Sequence, residues 1–134
     1  MTITISHIAL HTNNPERLTS FYTNKLGFKK EKESLAPKAL MRKIFGFGSD
    51  CRLIMLSRGS TRLELISLAR GRFKARSADK VGYGHWACVV KDKVRFCHAI
   101  EKKKVKVIKT TKNSRLICFI KDPDGNRIEV QDYK

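Results

Sequence analysis

Two histidines and two glutamates are the side chains of this sequence with the clearest capacity for chemistry. His7 and Glu64 lie in the first half of the chain, and His85 and Glu129 lie in the second half. Imidazole and carboxylate groups together form a borderline-hard ligand set that suits zinc, nickel, cobalt, iron or manganese. We therefore predict one divalent transition metal per site, held by these four side chains, with open positions for water or substrate oxygens.

These four residues occupy equivalent places in an internal repeat. Residues 6–9 (SHIA) match residues 84–87 (GHWA), and residues 62–65 (RLEL) match residues 127–130 (RIEV). A single His or Glu in a strand is more often structural or solvent-exposed than a ligand, so the prediction depends on the recurrence. If the first and last strands of each half pair, His and Glu lie side by side on one sheet face. Two such halves facing each other would surround one metal.

The elements that must position these side chains follow the same order in both halves. Alternating apolar residues predict strands, and apolar residues at helical spacing predict a helix after the first strand of each half. Each half is therefore predicted to be a βαβββ module, and the first half carries an additional short helix near residues 37–47. The sequence predicts one α+β domain over residues 1–134, with module one at about 1–69, a basic linker at about 70–80 and module two at about 81–134.

The stretch 122–130 (DPDGNRIEV) joins a tight turn to the last strand. Pro, Asp, Gly and Asn each favour a turn for a backbone reason. The alternation that follows places Arg127 and Glu129 on one face, and Ile128 and Val130 on the other. A carboxylate on a short strand just after a stiff turn is held in place, which predicts a functional role for Glu129.

The chain is strongly basic. It contains 29 Lys and Arg residues against 12 Asp and Glu residues, a formal net charge of +17. Such a surface attracts anionic small molecules and polyanions. A protein that binds single-stranded nucleic acid would also interleave aromatic residues with its basic ones, and Phe73 in the linker is the one candidate. General attraction of anions, with a small anionic substrate among them, is therefore favoured over nucleic-acid binding.

The sequence also predicts the compartment. No apolar run is long enough to span a bilayer, and residues 1–4 lack the charged and apolar regions of a signal peptide. These features predict a cytoplasmic protein with no membrane partner. The cysteines form no Cys-x-x-Cys pair and lie in apolar neighbourhoods, so we expect buried, reduced thiols. They are Cys51, Cys88, Cys97 and Cys118.

With these motifs in view, the chain resembles the vicinal oxygen chelate superfamily, which includes glyoxalase I, bleomycin resistance proteins and extradiol dioxygenases. The resemblance covers nearly the whole chain and implies paired βαβββ modules, which form an open, cupped mixed sheet around a metal with helices outside. It also implies a homodimer, because small members commonly place their sites at the subunit interface. The matching stretches are residues 7–10 (HIAL), 21–22 (FY), 26–28 (LGF), 63–65 (LEL), 82–85 (GYGH) and 122–129 (DPDGNRIE).

Within that family, the order His, Glu, His, Glu is most similar to metal-dependent glyoxalase I. The resemblance therefore implies His7, Glu64, His85 and Glu129 as metal ligands. It implies a lyase or isomerase that acts on a small substrate with adjacent oxygens, such as a thiol adduct, through an enediolate. Glu129 would be the base that moves the proton from one carbon to the next, while Glu64 stays bound.

Two departures from glyoxalase I concern the substrate. His11 stands where those enzymes tend to carry an Arg. They also tend to carry an Asn shortly after the second ligand, whereas this chain has Ser67 there, followed by Leu68 and Ala69. Glutathione is therefore not specified as co-substrate. His11 is a candidate substrate contact, and the alternative is that it forms part of a solvated cavity wall. The alternative function on the same fold is a non-catalytic protein that binds a drug or metabolite.

Overall fold

A computed structural model of the chain describes residues 1–77 and 79–133 and contains two compact units, Met1–Ala75 and Arg76–Lys134. The division between them falls within residues 70–80, the segment expected to be a linker. Ala78, in that expected linker, and Lys134, the expected end of module two, lie outside the described residues.

The first unit is a four-stranded mixed sheet with two helices. Its strands are ordered β1-β4-β3-β2, and β1 runs parallel to β4 while the other pairs are antiparallel. In chain order the elements are β1 (Ile8–His11), α1 (Pro15–Asn24), β2 (Lys29–Ala36), α2 (Lys38–Phe45), β3 (Cys51–Arg58) and β4 (Thr61–Leu68).

Over its described residues, the second unit repeats this topology without the extra helix. Its four strands are ordered β5-β8-β7-β6, with β5 parallel to β8. Its elements are β5 (Trp86–Val90), α3 (Lys93–Lys102), β6 (Lys106–Lys112), β7 (Arg115–Lys121) and β8 (Arg127–Asp132). The predicted α+β fold of two tandem βαβββ modules is therefore confirmed, with one four-stranded mixed sheet in each module.

Local sequence signals start the crossover helix of each module at the expected place. Asn14 caps α1, since its side chain accepts a hydrogen bond from the Arg17 backbone N–H at 3.0 Å, and Pro15 is the first helical residue. Asp92 caps α3 in the same way, accepting from the Arg95 backbone N–H at 3.0 Å. Both caps satisfy a donor that would otherwise lack a partner at the helix start.

Helix α1 packs on the face of the first sheet that is opposite to Glu64. The buried side of this helix includes Leu18 and Tyr22, both fully buried, and the helix lies against β4. Alternate residues of β4, Leu63 and Leu65, are also buried, whereas Glu64 between them points to the opposite face. The helix therefore covers the face that carries Leu63 and Leu65. On the Glu64 face, Ile66 is buried in a cluster with Ala36, Met41 and Cys51, while the Glu64 side chain stays 21% exposed.

Two strands start later than the sequence predicts. Apolar alternation begins at Ile3, but β1 starts at Ile8, where the chain first pairs with Leu63 of β4. The strand expected from Gly84 likewise starts at Trp86. Alternation reports only which residues share a face, whereas a strand also needs a hydrogen-bonded neighbour. His7 and His85, the two histidines predicted as ligands, thus immediately precede their strands.

The expectation of four reduced thiols is wrong. Cys97 of α3 and Cys118 of β7 form a disulfide with an S–S distance of 2.16 Å, which does not include Cys51 or Cys88. The two paired cysteines are 21 residues apart in sequence. Their proximity arises because the buried side of α3 packs against β7, a tertiary contact that cysteine spacing does not reveal. Across residues 1–77 and 79–133, no helix is long and apolar enough to cross a membrane.

Candidate metal centre

The first unit brings His7 and Glu64 together. Parallel pairing of β1 and β4 sets Ala9 opposite Glu64, and His7 lies two residues before Ala9 on the same face. His7 Nε2 is 3.9 Å from Glu64 Oε1, and their side chains are 37% and 21% exposed. The other ring nitrogen, Nδ1, lies 3.2 Å from Ser6 Oγ. One imidazole nitrogen therefore faces the carboxylate while the other has a separate hydrogen-bonding partner.

The second unit brings His85 and Glu129 together in the same way. Ala87 is opposite Glu129 in the parallel pair of β5 and β8, and His85 lies two residues before Ala87. His85 Nε2 is 3.2 Å from Glu129 Oε2, within hydrogen-bonding distance. The His85 side chain is 41% exposed and that of Glu129 is 28% exposed. The two modules therefore present matching His–Glu pairs on equivalent sheet faces.

Phe119 is a part of the second pair that the sequence analysis missed. It lies opposite Glu129 in the antiparallel register of β7 and β8. Its ring meets the His85 ring edge-on, with centroids 5.1 Å apart and planes at 79°. This contact limits the rotation of the imidazole and holds its Nε2 toward the carboxylate. Cross-strand register was the signal that could have identified Phe119.

Both pairs have the donor chemistry of two ligands on one metal, and the second pair also has the spacing. Imidazole nitrogen and carboxylate oxygen lie about 2.0–2.2 Å from zinc, so adjacent donors in tetrahedral or octahedral geometry are about 2.8–3.6 Å apart. The His85–Glu129 separation of 3.2 Å falls within that range, and the His7–Glu64 separation of 3.9 Å needs a small side-chain rotation. Within either module by itself, no third described His, Cys, Asp or Glu joins the pair. The four-ligand set stays a prediction.

A buried carboxylate stabilises the turn before Glu129. Asp122 is 4% exposed and accepts hydrogen bonds from the backbone N–H groups of Asp124 at 2.9 Å and Asn126 at 3.0 Å. It also accepts one from Asn126 Nδ2 at 2.7 Å. Gly125 has a φ of 87°, a conformation open mainly to glycine. The turn thus delivers β8, and with it Glu129, in a defined register.

His11 lies on the Glu64 face but belongs to an aromatic cluster. Its ring stacks on Phe73 at 4.4 Å with planes 12° apart, and meets the edge of Phe47 at 5.4 Å. Burial in this cluster lowers the pKa of His11 below its ordinary value. His11 lies two residues beyond Ala9, the partner of Glu64, so it lines the same face at a distance from the His7–Glu64 pair.

Asn13 holds the segment after β4 against His11. Its side-chain amide donates to the Phe73 carbonyl at 2.9 Å and its Oδ1 accepts from the Phe73 backbone N–H at 2.8 Å. The part of the expected linker that carries Phe73 is therefore bound to the first unit. Neither Asn13 nor Phe47 was identified from sequence, since the contact joins residues 60 positions apart.

Comparison with known proteins agrees with this architecture. Residues 4–130 match the family model of the Glyoxalase/Bleomycin resistance protein/Dioxygenase superfamily. The chain belongs to this superfamily. Its members commonly bind a divalent metal and small-molecule substrates, commonly form dimers, and include proteins without catalytic activity.

Individual relatives in the superfamily are distant. The lactoylglutathione lyase of Neisseria meningitidis is 29% identical, over 96% of this chain and 89% of the relative. The structure of a glyoxalase family protein from Enterococcus faecalis matches with a TM-score of 0.75 at 22% identity, over 95% of each chain. The trypanothione-dependent glyoxalase I of Leishmania major matches with a TM-score of 0.72 at 24% identity, over 98% of this chain and 87% of that one. These structural matches establish the fold.

Proposed function

We propose that this superfamily member is a metal-dependent lyase of the glyoxalase I type. His7, Glu64, His85 and Glu129 are the proposed ligands of one divalent transition metal, with two donors from each module. The proposed substrate is a small molecule with adjacent oxygens, and the proposed assembly is a homodimer. Similarity to a lactoylglutathione lyase over nearly the whole chain supports the reaction type.

The observation that carries this proposal is the recurrence of the His–Glu pair. In both units a histidine just before the first strand faces a glutamate in the last strand, with N–O separations of 3.9 and 3.2 Å. Half-exposed imidazole and carboxylate side chains on a sheet face contribute little to stability by pairing alone. Their repetition at equivalent register in two modules supports a shared ligand role.

The two carboxylates have different proposed roles. A bound divalent metal would supply Lewis-acid stabilisation of negative charge that develops on substrate oxygens. Glu129 removes a proton from a substrate carbon and returns it to the neighbouring carbon, while Glu64 stays a ligand. Phe119 and the turn at Asp122 keep His85 and Glu129 in position. His11, Phe47 and Phe73 form an apolar wall on the Glu64 face, against which an apolar part of the substrate can pack.

Replacement of Glu129 with Gln tests the role of the base. Glu129→Gln should lower kcat by about 10²- to 10⁴-fold because an amide cannot accept the proton, while part of the metal stays bound. Elemental analysis after metal supplementation gives the stoichiometry, and a panel of 2-oxoaldehyde thiol adducts and acyl thioesters gives the activity. Glu64→Gln should instead lower metal affinity first.

Glu101→Gln is the matched control, because Glu101 lies on α3 and pairs with Lys109 rather than with a histidine. This variant should keep wild-type metal content and turnover. Full activity in Glu129→Gln would contradict the assignment of the base. If the purified protein takes up no stoichiometric metal after supplementation, the non-catalytic binding function is favoured instead.

A further inference from the structure

Three cations form a row across the second sheet. Lys106 of β6 lies opposite Lys121 of β7, and Lys121 lies opposite Arg127 of β8. Residues opposite each other in antiparallel strands have Cβ atoms about 4.5–5.5 Å apart, and like charges in that position are destabilising. Three adjacent cations in one row are therefore unfavourable for stability unless an anion lies next to them.

This cationic row shares a face with Glu129. Phe119 and Glu129 form the next cross-strand pair on that face, because Ile120 and Ile128 between them are fully buried on the other side. Two residues along a strand span about 7 Å, which separates the row from Glu129. Lys121 and Arg127 are partly buried as whole residues.

The charges in the row act on one another. The pKa of Lys121 is lowered by the positive charge of Lys106, then by that of Arg127, and then by burial. Both neighbours that act on the Lys121 ammonium group are thus cations. An oxyanion placed over the row would relieve this repulsion and accept hydrogen bonds from all three side chains.

The equivalent row of the first unit is different. There Lys29 lies opposite Ser57, and Ser57 lies opposite Arg62. Ser57 takes the central place of Lys121, and its hydroxyl donates to the carboxylate of Glu31. The first unit thus separates its two cations with a hydroxyl and an acid, whereas the second unit concentrates three positive charges. The two modules therefore differ at this row, and only the second has three cations opposite one another.

We propose that Lys106, Lys121 and Arg127 form a subsite for an oxyanion group of the substrate, a phosphate or a carboxylate. This inference rests on the proposed function, because Glu129 marks where the reacting carbon lies. The substrate then carries its anionic group about 7 Å from the atoms that exchange a proton. The positive net charge of the chain would draw such a substrate toward the site.

Anion binding by the metal-free protein tests the subsite without requiring catalysis. Inorganic phosphate and malonate are titrated by calorimetry into EDTA-stripped protein at constant ionic strength, with ¹⁵N-resolved NMR following the Arg127 guanidinium. Wild type should bind at least one of the two anions saturably and shift the Arg127 signal. Tighter binding of phosphate indicates a phosphorylated substrate, and tighter binding of malonate indicates a carboxylated one.

Lys121→Ser gives the row of the second module the Lys–Ser–Arg pattern of the first module. It should weaken the binding of phosphate or malonate at least tenfold. Arg115→Ser is the matched control, because Arg115 lies on the same strand and face but about 20 Å away, and it should change affinity less than twofold. Lys121→Ser relieves repulsion, so its urea midpoint should not fall. Lys121→Gln, which keeps the long side chain, should weaken binding in the same direction.

Equal losses of anion affinity in the Lys121 and Arg115 variants would show that the row contributes only to the general positive charge of the surface. That result would overturn the proposal. Absence of saturable binding of both anions to wild type would overturn it as well. Glu129→Gln should retain anion binding, so failure of the subsite and failure of the proposed function are distinguished. Failure of the subsite appears as absent affinity for phosphate and malonate, whereas failure of the proposed function appears as absent turnover and metal dependence.

Discussion

At the residue scale, His11 illustrates how tertiary packing changes the meaning of a side chain. Its position in the sequence suggests a polar substrate contact, because glyoxalase I enzymes tend to carry an Arg there. In the folded chain its imidazole stacks on Phe73, and burial lowers its pKa. A neutral imidazole packs against an aromatic ring without the desolvation cost of a charged one.

The lowered pKa of His11 predicts a pH dependence of stability. The unfolded chain binds a proton at His11 at a higher pH than the folded chain does, so protonation favours unfolding. The stabilisation is therefore present above the ordinary histidine pKa of about 6.5 and is lost as the pH falls through the lower folded value. His11→Phe should flatten the decline of unfolding free energy between about pH 7.5 and pH 5.5 in urea titrations of metal-free protein.

His98→Phe controls for the loss of one histidine, because His98 is an exposed residue of α3. This variant should retain the decline seen in wild type. A His11→Phe variant whose stability falls with pH as steeply as that of wild type would show that His11 does not carry the effect.

At the element scale, the turn between β7 and β8 positions the proposed base. Asp122 is buried and its carboxylate accepts three hydrogen bonds within the turn. Those donors lie within the five residues that separate β7 from β8. The Asp122 side chain therefore stabilises the turn that leads into β8, and Glu129 lies three positions into that strand.

Asp122→Ala should lower the free energy of unfolding by about 2–3 kcal/mol, because backbone and side-chain donors lose their charged acceptor. Asp122→Asn keeps an acceptor oxygen and should cost less. Urea denaturation gives both values, and hydrogen exchange should show faster exchange at the Asn126 amide in the Ala variant. If Asp122→Ala is as stable as wild type, the turn does not depend on this carboxylate.

At the scale of the whole molecule, each module supplies only two of the proposed ligands. A complete ligand set therefore needs donors from two modules, which belong either to one chain or to two chains of a dimer. The superfamily commonly forms dimers. A symmetric dimer has two equivalent sites, so a mixture of variants can report which modules cooperate.

Mixing His7→Ala with His85→Ala protein tests whether the site is shared between subunits. Each variant alone should bind metal weakly, whereas refolding them together should restore about one quarter of the wild-type sites if each site combines modules from two chains. That fraction follows because half of the dimers are mixed and one of their two sites is intact. Metal content and activity both measure the recovery, and no recovery would place all four ligands on one chain.

The sequence by itself determined the architecture of the modules. Caps at Asn14 and Asp92, apolar alternation and the turn at 122–126 are local signals, and local signals specify helices, strands and turns without knowledge of distant partners. The repeat of His and Glu at matching places could also be read directly from the sequence. Each His–Glu pair was predictable on the condition that the first and last strands of its half pair, and the structure shows that pairing to be parallel.

Tertiary structure alone decided which distant residues touch. The Cys97–Cys118 disulfide, the stacking of Phe73 on His11 and the edge contact of Phe119 with His85 all join residues from separate elements. The cationic row likewise appeared only once strand register placed Lys106, Lys121 and Arg127 side by side. Sequence spacing reports the face on which a residue lies, whereas register and packing decide its neighbours, because they depend on contacts between elements far apart in the chain.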